Sequence, residues 1–369
     1  MKEGWEYKKL GEICFIERGG SPRPIKQYIT NRADGLNWIK IGDAVEGSKY
    51  IKSTKEKIIP EGLKKTRFVH KGDFILSNSM SFGKPYILGI DGCIHDGWLV
   101  IRDNNKIFDK TFLYYLLSSP NMYQEFKRLA VGGVVNNLNS NLVRNVVVPI
   151  PPLAEQERIV AELDLLSSII DKKKAQLKEL DQLAQSIFYD MFGDPITNEK
   201  GWEVKKLGEV CLLKAGKAIR AAELKEKADN TFPCYGGNGI RGYINKVSHK
   251  NDLPIIGRQG ALCGNVNYAK APFYATEHAV VVTPLIEMNI KWLYNELKLL
   301  QLEQYAHGVA QPGIAVSDLS PISFPIPPLP LQQEFASKIE AIERQKSLIQ
   351  QSIVETQTLF DSRMEHWFN

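Results

Sequence analysis

His95 and Asp96 stand side by side, and an imidazole beside a carboxylate is the pairing of acid and base catalysis. On an extended segment, however, neighbouring side chains point to opposite faces, so the adjacency predicts no working pair. Gly237-Asn238-Gly239-Ile240-Arg241-Gly242 matches G-x-G-x-x-G, which in a dinucleotide site follows a strand and opens a helix. Here Pro233-Cys234-Tyr235 precedes it and Tyr243-Ile244-Asn245 continues as a second extended segment, so the context fails. The triplets Glu6-Tyr7-Lys8 and Glu203-Val204-Lys205 match half of a nuclease site without an Asp on a preceding strand. The sequence holds no Walker A loop, no Gly-x-Ser-x-Gly and no His-Glu-x-x-His. Its Ile-Pro-Pro-Leu segments lack the amide or acid and the aromatic of the Asn-Pro-Pro-Tyr or Asp-Pro-Pro-Tyr used by amino-methyltransferases. The chain reads as non-catalytic.

What remains is a set of polar loops rich in Arg, Lys, Asn, Gln, Ser and Gly, the donors and acceptors that meet phosphates and base edges. They are Glu17–Pro24, Ser77–Pro85 and Gly132–Ser140 in the first half, and Ala215–Arg220, Tyr235–Tyr243 and Gly257–Gly260 in the second. A formal charge of +5 and a pI near 8.7 permit a nucleic-acid partner without establishing one. Composition, at 43% hydrophobic and 24% charged, is that of a globular protein with room for two or three domains. Five cysteines, Cys14, Cys93, Cys211, Cys234 and Cys263, form no Cys-x-x-Cys pair and no metal-ligand spacing with His, so buried free thiols are expected and no metal. Neither a signal peptide nor an apolar run of membrane-spanning length is visible, which predicts a cytoplasmic protein without a membrane partner.

The elements that must position these loops come in two copies. Gly4-Trp5-Glu6-Tyr7-Lys8-Lys9-Leu10-Gly11-Glu12 returns as Gly201-Trp202-Glu203-Val204-Lys205-Lys206-Leu207-Gly208-Glu209. Val148-Pro149-Ile150-Pro151-Pro152-Leu153-Ala154-Glu155-Gln156-Glu157 returns as Phe324-Pro325-Ile326-Pro327-Pro328-Leu329-Pro330-Leu331-Gln332-Gln333-Glu334. Prolines hold each second motif extended before a long periodic run, making it a strand-to-helix hinge. Between the frames lie strand-like runs, Leu36–Ile41, Lys57–Pro60, Phe74–Leu76, Tyr86–Ile90, Trp98–Ile101 and Asn145–Val148, then Ile255–Ile256, Gly264–Tyr268 and Ala279–Val282. One helix is expected over Thr111–Ala130, interrupted at Ser118-Ser119-Pro120, and another over Asn289–Tyr305. After the first hinge, Ile159, Leu163, Leu166, Ile170, Leu177, Leu180, Ala184, Ile187 and Met191 alternate 4 and 3 apart with a break at Lys173. A helix of about 38 residues spans roughly 57 Å. After the second hinge, Phe335, Ile339, Ile342, Ile349, Ile353, Thr356 and Phe360 form a similar seam, and two such seams pack most economically on each other.

The duplicated order of entry motif, variable region, Pro-Ile-Pro-Pro-Leu hinge with following Gln, and long helix resembles the specificity subunits of Type I restriction-modification systems over essentially the whole chain. The resemblance implies an α+β fold: two pseudo-symmetric mixed α/β target recognition domains, residues 1–149 and 195–323, joined by two long antiparallel coiled-coil helices within residues 150–194 and 324–369. It implies a subunit that binds double-stranded DNA at an asymmetric split target, with half-sites about one helical turn (34–36 Å) apart, and neither cuts nor methylates it. Two modification subunits would carry the methyltransferase chemistry and restriction subunits the ATP-driven step. S-adenosylmethionine, ATP and Mg would belong to those partners. The family pattern carries no universal base-contacting residue, so the expected contacts come from the loops: Arg18, Arg23, Lys40, Asn78, Ser79 and Lys84 in the first domain, and Lys217, Arg220, Asn238, Arg241, Arg258 and Gln259 in the second. The competing reading is a two-lobed protein-interaction adaptor with no DNA specificity, which would lack the steep salt dependence of phosphate binding.

Overall fold

The protein is seen here as a computed structural model that describes residues 2–45, 47–78, 83–130, 138–308 and 312–369. Its contacts form two units, the first from Met1–Lys173 with Ser352–Asn369 and the second from Lys174–Gln351. The first half runs β1 (Glu6–Lys9), α1 (Leu10–Ile13), β2 (Phe15–Arg18), β3 (Ile29–Thr30), β4 (Leu36–Ile39), β5 (Tyr50–Ile51), β6 (Glu56–Ile58), β7 (Arg67–Val69), β8 (Phe74–Ser77), β9 (Pro85–Leu88), β10 (Gly92–Ile94) and β11 (Trp98–Arg102). Then follow α2 (Lys110–Ser118), α3 (Pro120–Ala130), α4 (Ser140–Arg144), β12 (Val147–Ile150) and the long α5 (Leu153–Phe192). The second half runs β13 (Glu203–Lys206), α6 (Leu207–Val210), β14 (Cys211–Ala215), β15 (Phe232–Gly236), β16 (Gly239–Ile244), β17 (Leu253–Gly257), β18 (Val266–Ala269), β19 (Tyr274–Ala275) and β20 (Ala279–Pro284). It closes with α7 (Ile290–Leu299), α8 (Val316–Leu319), β21 (Ser323–Ile326) and the long α9 (Leu329–Phe368).

In the first unit one sheet is ordered β2-β11-β8-β9-β5 and a second β3-β6-β4-β10-β7; β10 with β4 and β5 with β9 are parallel, and the remaining pairs antiparallel. The apolar runs of β8 and β11 are continuous because both faces are covered. Phe74, Leu76, Leu99 and Ile101 join one core with α2, α3 and the start of α5, while Ile75, Trp98 and Val100 pack on Ile39 and Ile94. The second unit repeats the scheme with β14-β20-β17-β18 and β16-β15-β19. There Ile256, Val280 and Val282 face one core, and Ile255 and Val281 the other.

Each entry motif pairs with its own hinge, β1 with β12 and β13 with β21, both antiparallel. The residue that locks each hinge is the glutamine after it. Gln156 is fully buried; its Nε2 donates to the carbonyls of Pro151 (2.9 Å) and Ile107 (3.1 Å), and its Oε1 accepts the Asp109 N–H (2.8 Å). Gln332 likewise donates to Pro327 O (2.8 Å) and accepts from Asn289 N (2.9 Å). Asp109 and Asn289 are in turn the N-caps of α2 and α7.

Within each unit the long helices run antiparallel. In the first, Ile159, Leu163, Leu166, Ile170 and Ile353 are buried, and Arg363 pairs with Glu162. Lys173, the break in the seam, donates to Ser352 Oγ and to Thr356 Oγ1 (3.3 Å), a polar layer in place of an apolar one. In the second, Leu180, Ile339 and Ile342 are buried, Leu177 and Ile349 half-buried, and Lys346 pairs with Asp181 at 2.5 Å. Toward the end of α5 the seam departs from the expected Ile187 and Met191. Phe188 and Phe192 are the buried residues, because α5 there meets Phe335 and Trp292 of the second core.

One expected helix breaks where its sequence interrupts it and another is shorter than expected. Thr111–Ala130 is split into α2 and α3, since Ser119 leaves helical geometry to cap α3 and Pro120 opens it. Asn289–Tyr305 stops at Leu299, because Gln301 turns left-handed (φ 50°) into a short 3-10 turn. All five cysteines are buried and free, and burial pushes the Cys14, Cys93 and Cys211 thiols up to about 12.

Glu296 on α7 occupies the place that Leu116 holds on α2, counted from the capping residues. It is 1% exposed, neither carboxyl oxygen has a hydrogen-bond partner, and burial, then Asp194, push the carboxyl well above its usual 4.5. The protonated form therefore stabilises the fold fully below 4.5, and that contribution is lost as pH rises through the raised value. Glu296→Leu should stabilise the second unit by about 1–3 kcal/mol at neutral pH, with an advantage that shrinks toward pH 4 in thermal melts. Gln156→Leu and Gln332→Leu should each cost about 3 kcal/mol by orphaning the carbonyl and N–H groups they bridge, read as a lower Tm of the affected unit by calorimetry.

Candidate functional site

The loops of the first unit converge on residues 95–97, which are a turn and not an extended segment: Trp98 N–H donates to His95 O at 3.1 Å. The side chains of His95 and Asp96 consequently meet, Nε2 to Oδ1 at 3.0 Å, contrary to the expectation from an extended strand. His95 Nδ1 accepts the Gly97 N–H (2.9 Å), which leaves the proton on Nε2 to donate to the carboxylate. Ser21 Oγ donates to Asp96 Oδ1 (2.8 Å), and Arg23 Nη2 approaches Oδ2 at 3.7 Å. The Asp96 carbonyl accepts both Arg18 Nε (2.8 Å) and Asn78 Nδ2 (3.0 Å). Burial raises the Asp96 pKa, but Ser21, His95, Arg18 and Arg23 together hold it below 3.8; burial, opposed by Asp96, holds the His95 ring below 6.5. Beside this turn lies a groove of about 860 Å³, with Trp38 and His95 in its lining and Arg23, Lys26 and Lys40 as its cations.

The second unit builds the same frame from different residues. Gly19 N–H donates to Trp98 O and Gly216 N–H to Ala279 O; Asn78 N–H donates to Gly97 O and Arg258 N–H to His278 O; Leu138 N–H donates to Asn78 O and Ile314 N–H to Arg258 O. The turn Thr276-Glu277-His278 thus corresponds to His95-Asp96-Gly97, and Glu277 stands where Asp96 does, with Oε1 3.1 Å from His278 Nε2. Close approach makes glycine necessary in both: a Cβ would lie 2.3 Å from His95 O at Gly19 and 2.1 Å from Ala275 O at Gly216. A groove of about 440 Å³ at the β15–β16 hairpin is lined by Asn238, Arg241, Gln259 and His278.

The loop residues singled out by sequence fall into different places. Arg18, Arg23 and Asn78 are gathered around Asp96, and Arg23 and Lys40 line the first groove, Lys40 bound to Glu56 at 2.6 Å. Asn78 is fully buried, so its side chain is a support for the turn and not a surface group. Ser79 lies outside the described residues. Lys84 is exposed just before β9. Asn238, Arg241 and Gln259 share the second groove, with Asn238 Oδ1 accepting from Asn265 (2.9 Å) and the Arg241 side chain lying over Gly236. Arg258 is half-buried and not in that groove's lining, its Nε unbonded among the described residues. Lys217 and Arg220 are exposed away from it, Arg220 pairing at 3.4 Å with Glu223, whose carboxyl Lys246 and Arg220 hold down to about 2. Asp96, Glu277 and His278 were not among the expected contacts; their only signal in the sequence is an acid beside a histidine in both halves. Among the described residues no cluster of three His, Cys, Asp or Glu could hold a metal, and no helix is long and apolar enough to cross a membrane.

Known proteins carry this frame. Residues 2–182 and 199–357 match the family described as the Type I restriction modification DNA specificity domain, and the chain belongs to that family. Among its relatives are the specificity subunit of the Type I restriction enzyme EcoprrI of Escherichia coli (29% identical, covering 92% of this chain and 87% of that one) and that of MjaIX from Methanocaldococcus jannaschii (24%, 93% and 87%). The fold is shared with a chain from the structure described as the structural basis of complex assembly and conformational transition of the type I R-M system (22% identical, TM-score 0.64, covering 100% of this chain and 98% of that one). It is shared too with the S subunit from M. genitalium (16%, 0.58, 99% and 96%). The function is DNA-target recognition by a non-catalytic subunit that assembles with methyltransferase and restriction subunits.

Both depressed values act in one direction. The stability held by His95 is present above 6.5 and that held by Asp96 above 3.8, and each is lost as pH falls through the lowered value. Acidification should loosen the 95–97 turn in two steps, followed by the His95 ring signals in NMR and by Trp38, which lies edge-on to that ring at 5.8 Å; His95→Gln should remove the first step.

Proposed function

We propose that the two units read different halves of an asymmetric split DNA target and that the paired long helices serve as the spacer between the half-sites. The observation that carries this is one backbone frame with unlike side chains: the turn at 95–97 sits over Asn78 and a basic groove, its counterpart at 276–278 over Arg258 and a hairpin. Identical readers would call for a palindrome; unlike ones call for two different half-sites. Two copies of a modification subunit would flank the chain and restriction subunits would join them, in the cytoplasm. S-adenosylmethionine, ATP and Mg would be held by those partners, as the sequence lacks the motifs that bind them.

Co-expression with the modification subunit, followed by single-molecule sequencing of host DNA, should reveal methyladenine in an interrupted, non-palindromic motif. A palindromic or uninterrupted motif would refute the two-reader arrangement. Binding of the assembled complex to its target should weaken about 10³-fold or more between 50 and 200 mM salt, as the release of counterions from several phosphates requires.

A further inference from the structure

We propose that Asp96 and Glu277 are the base-reading carboxylates of the two units, each accepting a hydrogen bond from the exocyclic amino group of a cytosine or an adenine in the major groove. This rests on the DNA-recognition reading above and assigns it to particular atoms. The two residues occupy the same position of the same turn, although the sequences around them, His-Asp-Gly-Trp and Thr-Glu-His-Ala, share nothing else. Asp96 stands beside Arg18 and Arg23, with Lys40 near His95, where DNA phosphates are expected to come close, and a carboxylate is repelled by phosphate. Its carboxylate makes no close hydrogen bond to those cations. Arg18 bonds to the backbone carbonyl of residue 96 and not to its carboxylate, Arg23 stays at 3.7 Å, and Lys40 is bound to Glu56.

In Asp96 the hydrogen bonds leave one oxygen for a ligand. Ser21 and His95 both bond to Asp96 Oδ1, while among the described residues Oδ2 has only the long approach of Arg23, on a side chain 30% exposed. With both ring nitrogens engaged, His95 orients the carboxylate instead of reading a base itself. Glu277 differs in detail: its side chain is 40% exposed, His278 meets Oε1, and Oε2 is enclosed without a partner among the described residues, so a base is to be met at the remaining lone pair of Oε1. An ionised carboxylate only accepts. On the major-groove edge it therefore selects cytosine N4 or adenine N6 and rejects guanine O6 and N7 and thymine O4.

The test uses the chain co-expressed with its modification subunit. Asp96→Asn, whose amide donates as well as accepts, should relax or change one base of a single half-site, with at least about tenfold loss of discrimination there. Glu277→Gln should do the same in the other half-site only. With the wild-type complex, duplexes in which one adenine or cytosine at a time lacks its exocyclic amino group should reveal one position per half-site that costs about tenfold in affinity; this holds whether or not the variants fold. Ser21→Ala, which removes the hydroxyl that orients the carboxylate and leaves the carboxylate itself, should lower the methylation rate and keep the motif. An unchanged motif in Asp96→Asn, or a wild-type complex insensitive to every amino-group deletion in one half-site, would overturn the assignment while leaving DNA recognition in place. Salt-insensitive binding by the wild-type complex would remove DNA recognition and this role with it.

Discussion

Each unit depends on one buried side-chain amide. A hinge made of consecutive prolines cannot close its own backbone ladder, because proline has no N–H to donate, and its carbonyls face the interior. Gln156 and Gln332 answer that need from the first turn of the following helix, and the same amides receive an N–H from the residue that caps α2 or α7. Three elements distant in sequence, hinge strand, capped helix and long helix, are thereby fixed at one point. An unmet amide or carbonyl there would cost about 1–3 kcal/mol, comparable to a core packing defect, so each hinge fixes the start of its long helix by hydrogen bonds as well as by apolar packing.

Much of this was legible in the sequence. The duplicated entry and hinge motifs gave the two-fold plan, and the runs at Phe74–Leu76 and Ala279–Val282 marked strands, which the structure shows covered on both faces. Where the reading failed, the deciding contact lay far away in sequence. The break expected at Ser118-Ser119-Pro120 is where α2 ends and α3 begins, but the helix expected to reach Tyr305 stops at Leu299. Periodicity chose Ile187 and Met191 over Phe188 and Phe192 because a repeating seam presumes a uniform partner, and α5 meets a helix along one stretch and a domain core along another.

The site was less legible for a related reason. Arginine and asparagine were chosen as the residues that touch DNA, yet Asn78 is buried against the backbone of residue 96, and Arg18, though exposed, spends its Nε on the same carbonyl. A residue type capable of recognition can equally build the platform on which recognition occurs, and only geometry separates the two uses. The matching turns also show how one fold can change what it reads: the backbone bonds that shape the turn involve main-chain atoms and two close-approach glycines, so the side chains above them are free to vary without loss of the frame.

The first unit is assembled from two stretches of chain separated by the whole of the second. Met364, Trp367 and Phe368 pack against the same core as Ile159 and Leu163, yet they leave the ribosome about 200 residues later, roughly 10–40 s at 5–20 residues per second. Throughout that interval the early half of α5 carries an apolar face without its native cover, while the second unit, continuous in sequence, has all its residues in hand before the first does. The unit whose synthesis begins first is therefore the one whose residues are complete last, and until then the start of α5 lacks part of its apolar cover.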